Sequence, residues 1–342
     1  MKSKLPMTLL AQLDDVAVFQ TAALANGNKC AADTNSQQMH ELGQASYGAL
    51  NLGLHVNDDA AKVLDNRMRL LTAINEKLNS LPSTSAQNAP IKRLHWVNQV
   101  HGNDIHHIDA TALSMQPLAA DAILSQQQGV GLAIMTADCV PIVLYQPASG
   151  KIAAIHAGWQ GLACGVIQAT AERFTDSGQI MAWIGVCISQ QNYEVGSQVR
   201  DKLLAGCVDS QLLTSANIER FDARYVMDSA NQTGDDSHTD TSKNSDVNPQ
   251  CLHKTVDKLA NYAKVNADNI KLNLPRLAAD QLTAAGMTLC NESAIGCSYG
   301  DDRYYSYRRQ THLQQPATGR MALVIVRRAS TQSDTESDTE LV

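Results

Sequence analysis

The sequence predicts an α+β fold: a mixed β-sheet sandwich with helices on its outer faces. Three observations predict it. Between residues 91 and 188 short β-type runs follow one another with a single helical stretch among them. Amphipathic helical patterns lie before that block and again after it, so strands and helices come in blocks rather than in βαβ alternation. Hydrophobic residues make up 44% of the 342 residues and charged residues 18%, which is enough apolar material for a large core.

Each element follows from its own pattern. VAVFQT, at 16–21, reads as a strand. Residues 27–46 are rich in Gly, Asn and Gln and read as a loop. Over 60–78, Val63, Leu64, Met68, Leu71, Ile74 and Leu78 recur at helical spacing and predict an amphipathic helix. Residues 79–90 form a Ser/Pro/Asn loop. The strand block then runs RLHWV, DIHHID, DAILS, GLAIMTAD, PIVLYQ, KIAAIHA and IMAWIGVCI, with Gly, Pro or Asp at most of the breaks. One Ala-rich helix, 161–174, interrupts it, and a second is expected over 195–204.

The stretch 229–250 is polar, has no hydrophobic period and reads as a surface insert. Helices are predicted at 251–265 and at 274–285, the latter with Pro275 in its first turn, where a missing N–H costs nothing. MALVIVR, 321–327, is the closing strand. The expected organisation is one domain over 1–328 with surface insertions near 27–46, 79–90 and 229–250, followed by an acidic, disordered tail at 329–342.

The net charge of −7 is confined to two segments. The 229–250 insert carries −3 and the tail −4, so the remainder is neutral. No basic face is available to neutralise phosphates along a nucleic acid, and none is expected as a partner. No run of eighteen apolar residues predicts a membrane span, and no secretory signal is evident, so a cytoplasmic location is expected. The eight cysteines show no CxxC pair and read as reduced thiols. No protein partner is deducible.

Three segments carry the chemistry: Asn98-Gln99-Val100-His101-Gly102, Thr136-Ala137-Asp138-Cys139-Val140-Pro141 and His156-Ala157-Gly158-Trp159. In each, a His or Cys ends a β-type run beside a residue that breaks it. Strand ends of one sheet can bring such groups together. Two imidazoles and a thiolate make three ligands for zinc and leave a fourth position open, the layout of a catalytic site. The spacing alone also fits a metal-free thiolate–imidazolium pair of Cys139 and His156 acting on an amide or ester. It fits a binding module too, in which zinc only holds the fold and His55 is the spare fourth ligand. A histidine at a strand end bonded to a carbonyl, and a cysteine packed in a core, are the plainer readings of the same residues.

Six stretches, in order from 51 to 326, resemble the YfiH-type family, also called the multicopper polyphenol oxidase (laccase) or FAMIN-type family. They are NLGLHVNDD with DNR, NQVHGNDI, ADAILSQQQGVGLAIMTADCVPIVLY, IAAIHAGWQGLACGV, WIGVCISQQNYEVG, and IGCSYGDDRYYSYRR with TGRMALVIV. The family carries a zinc site at VHG, ADCVP and HAGW, which the resemblance transfers to His101, Cys139 and His156. It implies purine nucleosides and phosphate as substrates: phosphorolysis of adenosine, inosine, guanosine and methylthioadenosine, with deamination of adenosine. The four long extra segments depart from the family pattern.

The residues argue against the laccase in the family's name. Ten histidines include no HxH pair, and His106 and His107 are adjacent, so on a strand they face opposite ways. One His₂Cys site can hold one copper in vitro, too few for a four-electron reduction of oxygen. Zinc with an open position lowers the pKa of a bound water and polarises a substrate atom. Phosphorolysis also needs an anion site, and Arg308 and then Arg303 are the candidates, because guanidinium recognises phosphate bidentately. Asn51, His55 and Gln99 are candidates for ribose or base contacts. Asp138, beside the ligand cysteine, is a candidate acid/base or a support for a ligand imidazole.

Overall fold

The computed structural model describes residues 5–24, 45–81, 88–111, 117–228, 269–291 and 296–330. The 229–250 insert, the 251–265 helix, and most of the 27–46 loop and of the tail therefore lie outside the described residues. Among the described residues no helix is long and apolar enough to cross a membrane.

In chain order the elements are β1 (Met7–Leu13), β2 (Val16–Thr21), α1 (Ala60–Asn79), β3 (Asn88–Ala89), β4 (Arg93–His95), β5 (Ile105–His107), β6 (Ala122–Ser125), β7 (Val130–Thr136), β8 (Val140–Gln146) and β9 (Lys151–Ala157). Two short helices follow, α2 (Trp159–Ala163) and α3 (Val166–Ala171), then β10 (Met181–Ile184), β11 (Glu194–Gly196) and α4 (Ser197–Asp209). After them come α5 (Ser215–Glu219), α6 (Phe221–Tyr225), β12 (Val226–Asp228), β13 (Asn269–Leu272), α7 (Leu274–Ala284), β14 (Thr288–Leu289), α8 (Tyr307–His312), β15 (Met321–Arg327) and β16 (Ala329–Ser330).

Two sheets make the sandwich. One has strand order β1-β2-β15-β7-β4, the other β14-β10-β8-β9-β6-β5. Both are mixed: β4 with β7, β5 with β6 and β10 with β14 are parallel, while the other ladders in these two sheets are antiparallel. Between the sheets, Val18, Leu132, Ile134, Leu323 and Ile325 meet Ile123, Val143, Tyr145, Ile152 and Trp183. The alternate residues Ala17, Phe19, Ala133, Val324 and Val326 point outward under Leu70, Ile74 and Leu78 of α1. On the far side, Leu124, Ile142, Leu144, Ala153 and Ile155 pack against Leu162, Val166, Leu203, Leu277 and Leu282 of α2, α3, α4 and α7. The layer order is helix, sheet, sheet, helices. Strands buried on both faces need no polar alternation, which is why GLAIMT and PIVLY are unbroken apolar runs.

Several expectations need correction. The 161–174 helix is two helices, because Gly165 between them sits at φ +76 and ends the first. The helix expected from Val195 starts at Ser197, with Val195 paired to Ile270 in a strand. The apolar stripe of α1 is rotated: Leu70 is buried, whereas Leu64 and Met68 are 51% and 65% exposed. IMAWIGVCI stops as a strand at Ile184. The tail does not begin free, since Ala329–Ser330 pairs with Asn88–Ala89. Cys139, Cys187, Cys207, Cys290 and Cys297 are free thiols. Cys164 is disulfide-bonded, against the reading that every thiol is reduced.

Candidate metal centre

The three motif residues converge at one end of the sandwich. His101 lies in the loop between β4 and β5, Cys139 in the tight connection between β7 and β8, and His156 near the end of β9. β8 and β9 are antiparallel neighbours with Val140 opposite Ala157 and Pro141 opposite His156. That register sets Cys139, the residue before Val140, beside the end of β9. One potential ligand atom from each of His101, Cys139 and His156 lies within 4.8 Å of the others, and among the described residues this is the one such group of three or more His, Cys, Asp or Glu. The two imidazoles meet edge to face, with centroids 4.8 Å apart and planes at 80°. His156 is buried, Cys139 half-buried and His101 exposed, so the cluster opens to solvent on the His101 side.

Asp121, at the entry to β6, is the brace of this cluster. Its Oδ1 lies 2.8 Å from His156 Nδ1 and accepts from the His101 amide at 2.9 Å, while Oδ2 accepts from Gly102 N at 2.5 Å. Burial alone would raise the Asp121 carboxyl. The bonds from His156, Gly102 and His101 hold it below its ordinary value instead. An ionised carboxylate can only accept, so His156 donates to it from Nδ1 and turns its Nε2 to the cluster. One carboxylate thus orients one ligand ring and fixes the backbone of the other.

Burial would also raise the Cys139 thiol, but His156 and His101 outweigh it and bring its pKa down to about 6. Burial would lower His156, but Cys139 and Asp121 raise it to about 9. The pair therefore favours thiolate beside imidazolium, and a thiolate is the form that binds a cation. Two features fit a bound metal. The donor set is two imidazoles and a thiolate, which suits zinc and also monovalent or blue copper. Gly158 leaves the cluster uncrowded: a Cβ there would come within 3.1 Å of Cys139 Sγ and 3.2 Å of His101 Cδ2.

The other expected site residues are placed differently. Asp138, at φ +109, accepts from Ser298 Oγ and from Arg308 N, each at 2.6 Å, and so ties the C-terminal segment to the β7–β8 turn. The support for a ligand imidazole comes from Asp121, not from Asp138. Asn51 is fully buried, and its Oδ1 accepts from Gly53 N and Arg320 N, both at 2.9 Å. It shapes the wall and has no surface for a substrate. Gln99 closes a two-bond bracket on the Met135 backbone, donating at 2.7 Å and accepting at 2.8 Å. Arg303 is paired with Asp301 on the surface. Arg308 lies over the Tyr193 ring at 5.6 Å, and the charges of both Arg308 and Cys139 act on that phenol.

His55 is exposed at the rim and not among the three clustered ligands. Crowding by neighbouring atoms, and then the charges of Arg320, Arg67, His101 and His156, lower its pKa to about 4, so it stands neutral. Asp121, Tyr193, Arg67 and Arg320 were not singled out from the sequence. Only Asp121 had a local signal, a carboxylate opening a short strand of mostly apolar residues.

A family profile described as "Multi-copper polyphenol oxidoreductase laccase" matches residues 34–233 and 241–328. A Pseudomonas aeruginosa protein named purine nucleoside phosphorylase is 38% identical over 183 residues, covering 53% of this chain and 67% of the relative. Purine nucleoside phosphorylase YfiH of Escherichia coli is 36% identical over 204 residues, covering 58% and 74%. Among solved structures, a Neisseria meningitidis protein superposes with TM-score 0.61 at 23% identity over 94% of this chain and 99% of that one. Bacillus licheniformis YfiH superposes with TM-score 0.60 at 19% identity over 95% and 97%. The profile match spans most of the chain and includes all three clustered ligands, and on that ground the chain belongs to the multi-copper polyphenol oxidoreductase laccase family, whose YfiH members are named purine nucleoside phosphorylases.

Proposed function

We propose that the chain is a zinc-dependent purine nucleoside phosphorylase that accepts adenosine, inosine, guanosine and methylthioadenosine and also deaminates adenosine. The observation that carries this reading is the His101–Cys139–His156 cluster, open on one side and, among the described residues, lacking a fourth protein ligand. His101, Cys139 and His156 would hold the zinc. Zinc supplies Lewis-acid chemistry there, withdrawing electron density from an atom that enters the open position. The relatives named purine nucleoside phosphorylase support the substrate class. A single cluster among the described residues speaks against the several coppers of a laccase.

The protein's own groups do the positioning. Asp121 holds the His156 tautomer. Tyr193 and Arg308 offer an aromatic face and a cation beside the cluster, suited to a purine and its polar edge. The deciding experiment measures bound zinc and phosphate-dependent release of hypoxanthine from inosine on one preparation. About one zinc per chain and base release that requires phosphate are expected. Full activity in Cys139→Ala defeats the proposal.

One observation favours a second reading. Cys139, His156 and Asp121 line up as a thiolate, an imidazolium and a supporting carboxylate, the order of groups in a cysteine hydrolase. Chelation separates the two readings: it abolishes the zinc activity and spares the metal-free one.

A further inference from the structure

Beside the metal cluster lies a guanidinium whose donors are only partly used. Arg320 stands at the end of the 317–320 turn, just before β15. Its backbone N–H donates to Asn51 Oδ1 at 2.9 Å, and its Nη1 donates to the Thr318 and Gly319 carbonyls, each at 3.0 Å. These bonds fix the plane of the side chain. Gly53 makes room for its stem, since a Cβ there would come 2.8 Å from Arg320 Cγ. Nε and Nη2 have no hydrogen-bond partner among the described residues, and no carboxylate there forms an ion pair with Arg320.

Two acidic groups, Cys139 and Asp138, act on Arg320 most strongly, ahead of the Tyr307 phenol. Both are already committed. Cys139 belongs to the metal cluster, and Asp138 accepts from Ser298 Oγ and Arg308 N. Arg67 adds a second cation on the same flank. Its Nε and Nη2 donate to Leu52 O at 3.0 and 2.8 Å, and it stacks 4.2 Å over Trp96, with no carboxylate ion-paired to it among the described residues. Met321 pairs with Thr136, so Arg320 stands at the end of β7, beside the turn that carries Cys139, and exposed His55 lies near both arginines and both ligand histidines. A desolvated cation without an anionic partner is costly unless a ligand supplies that partner.

We propose that Arg320, backed by Arg67, is the oxyanion side of this centre and binds the inorganic phosphate used in phosphorolysis. The assignment rests on the phosphorylase reading. A guanidinium edge presented by Nε and Nη2 matches two oxygens of one phosphate. In the step it serves, a phosphate oxygen bonds to C1′ of the ribose as the C1′–N9 bond breaks. The electron pair leaves with the purine, and the proton carried by the phosphate ends on the base, giving free base and ribose 1-phosphate. Arg303 and Arg308, the arginines picked from sequence, are not the phosphate donors on this view.

The test uses zinc-loaded full-length protein and inorganic phosphate itself. Equilibrium dialysis with radiolabelled phosphate is run beside inosine phosphorolysis and zinc analysis for the parent, Arg320→Met, Arg320→Lys and Arg308→Met. Arg320→Met is expected to lose phosphate binding and to raise the KM for phosphate by at least about tenfold, with zinc retained and the KM for inosine moved much less. Arg320→Lys keeps a charge without the fork and should fall between, which serves if the Met variant does not fold. Phosphate binding within about twofold of the parent in either Arg320 variant overturns the assignment, as does loss of phosphate in Arg308→Met alone. A parent that binds phosphate through Arg320 but releases no base from inosine sinks the phosphorylase reading and leaves the anion site standing. A parent that binds no phosphate overturns the site.

Discussion

The floor and the rim of the metal cluster are built on opposite terms. On the floor both carboxylates are paired: Asp121 takes the His156 ring and the amides of His101 and Gly102, and Asp138 takes Ser298 and the Arg308 amide. On the rim, Arg320 keeps Nε and Nη2 without a described partner and His55 faces solvent. Full pairing fixes geometry, because a buried carboxylate that loses a donor pays its desolvation penalty. Unpaired donors leave a place for a ligand. The difference separates residues that hold the site from residues that wait for something to enter it.

The sharpest way to break that comparison is at the ligands. Cys139→Ala removes the thiolate and is expected to lose bound metal and to reduce base release from inosine to background, read by metal analysis and product chromatography. Asp121→Asn comes next. It keeps the shape but replaces one acceptor oxygen with an NH₂ group facing backbone N–H donors, and metal affinity should drop by about 10- to 100-fold in chelator competition. Gly158→Ala presses a methyl on Cys139 Sγ and His101, and should cost about 1–3 kcal/mol in urea unfolding.

The thiol pKa can be checked directly. In metal-free protein, Cys139 carboxymethylation should rise with pH through a midpoint near 6, because only the thiolate reacts and the neighbouring imidazoles favour it. A midpoint in the ordinary thiol range would show that His156 does not act on it. The smallest effect belongs to the rim: His55→Ala should leave metal stoichiometry unchanged. Release of zinc would make His55 a fourth ligand and turn the centre into a closed, structural one.

Much of this was legible from residues alone, for stated reasons. The inner strands β2, β7, β8, β9 and β15 are buried on both faces, so their apolar runs stand out without tertiary information. His101, Cys139 and His156 were visible because each sits where an apolar run stops. The α1 stripe was misread at Leu64 and Met68, because residues on either side of a helical face share the same spacing and only the packed sheet decides between them. The break at Gly165 was missed because an Ala-rich run around one glycine still reads as helix. Asp121 and Arg320 were missed for a deeper reason. Their partners lie at 101, 102 and 156 for one and at 51 for the other, and such long-range closures leave no local trace. Asn51 and Gln99 stand out as polar, but composition does not reveal that Asn51 is bonded to Gly53, Asp58 and Arg320 or that Gln99 brackets the Met135 backbone.

The position of β15 has a consequence for biogenesis. This strand, near the C-terminal end of the described chain, lies in the middle of its sheet, between β2 and β7. During vectorial synthesis β2 and β7 emerge long before it, each with an unpaired inner edge that invites wrong partners. The nascent polypeptide can acquire neither a closed sheet nor the guanidinium at 320 until translation has passed Arg327, so competence arrives late and all at once. A chain shortened before that strand would leave a gap through the sandwich and a centre missing one wall.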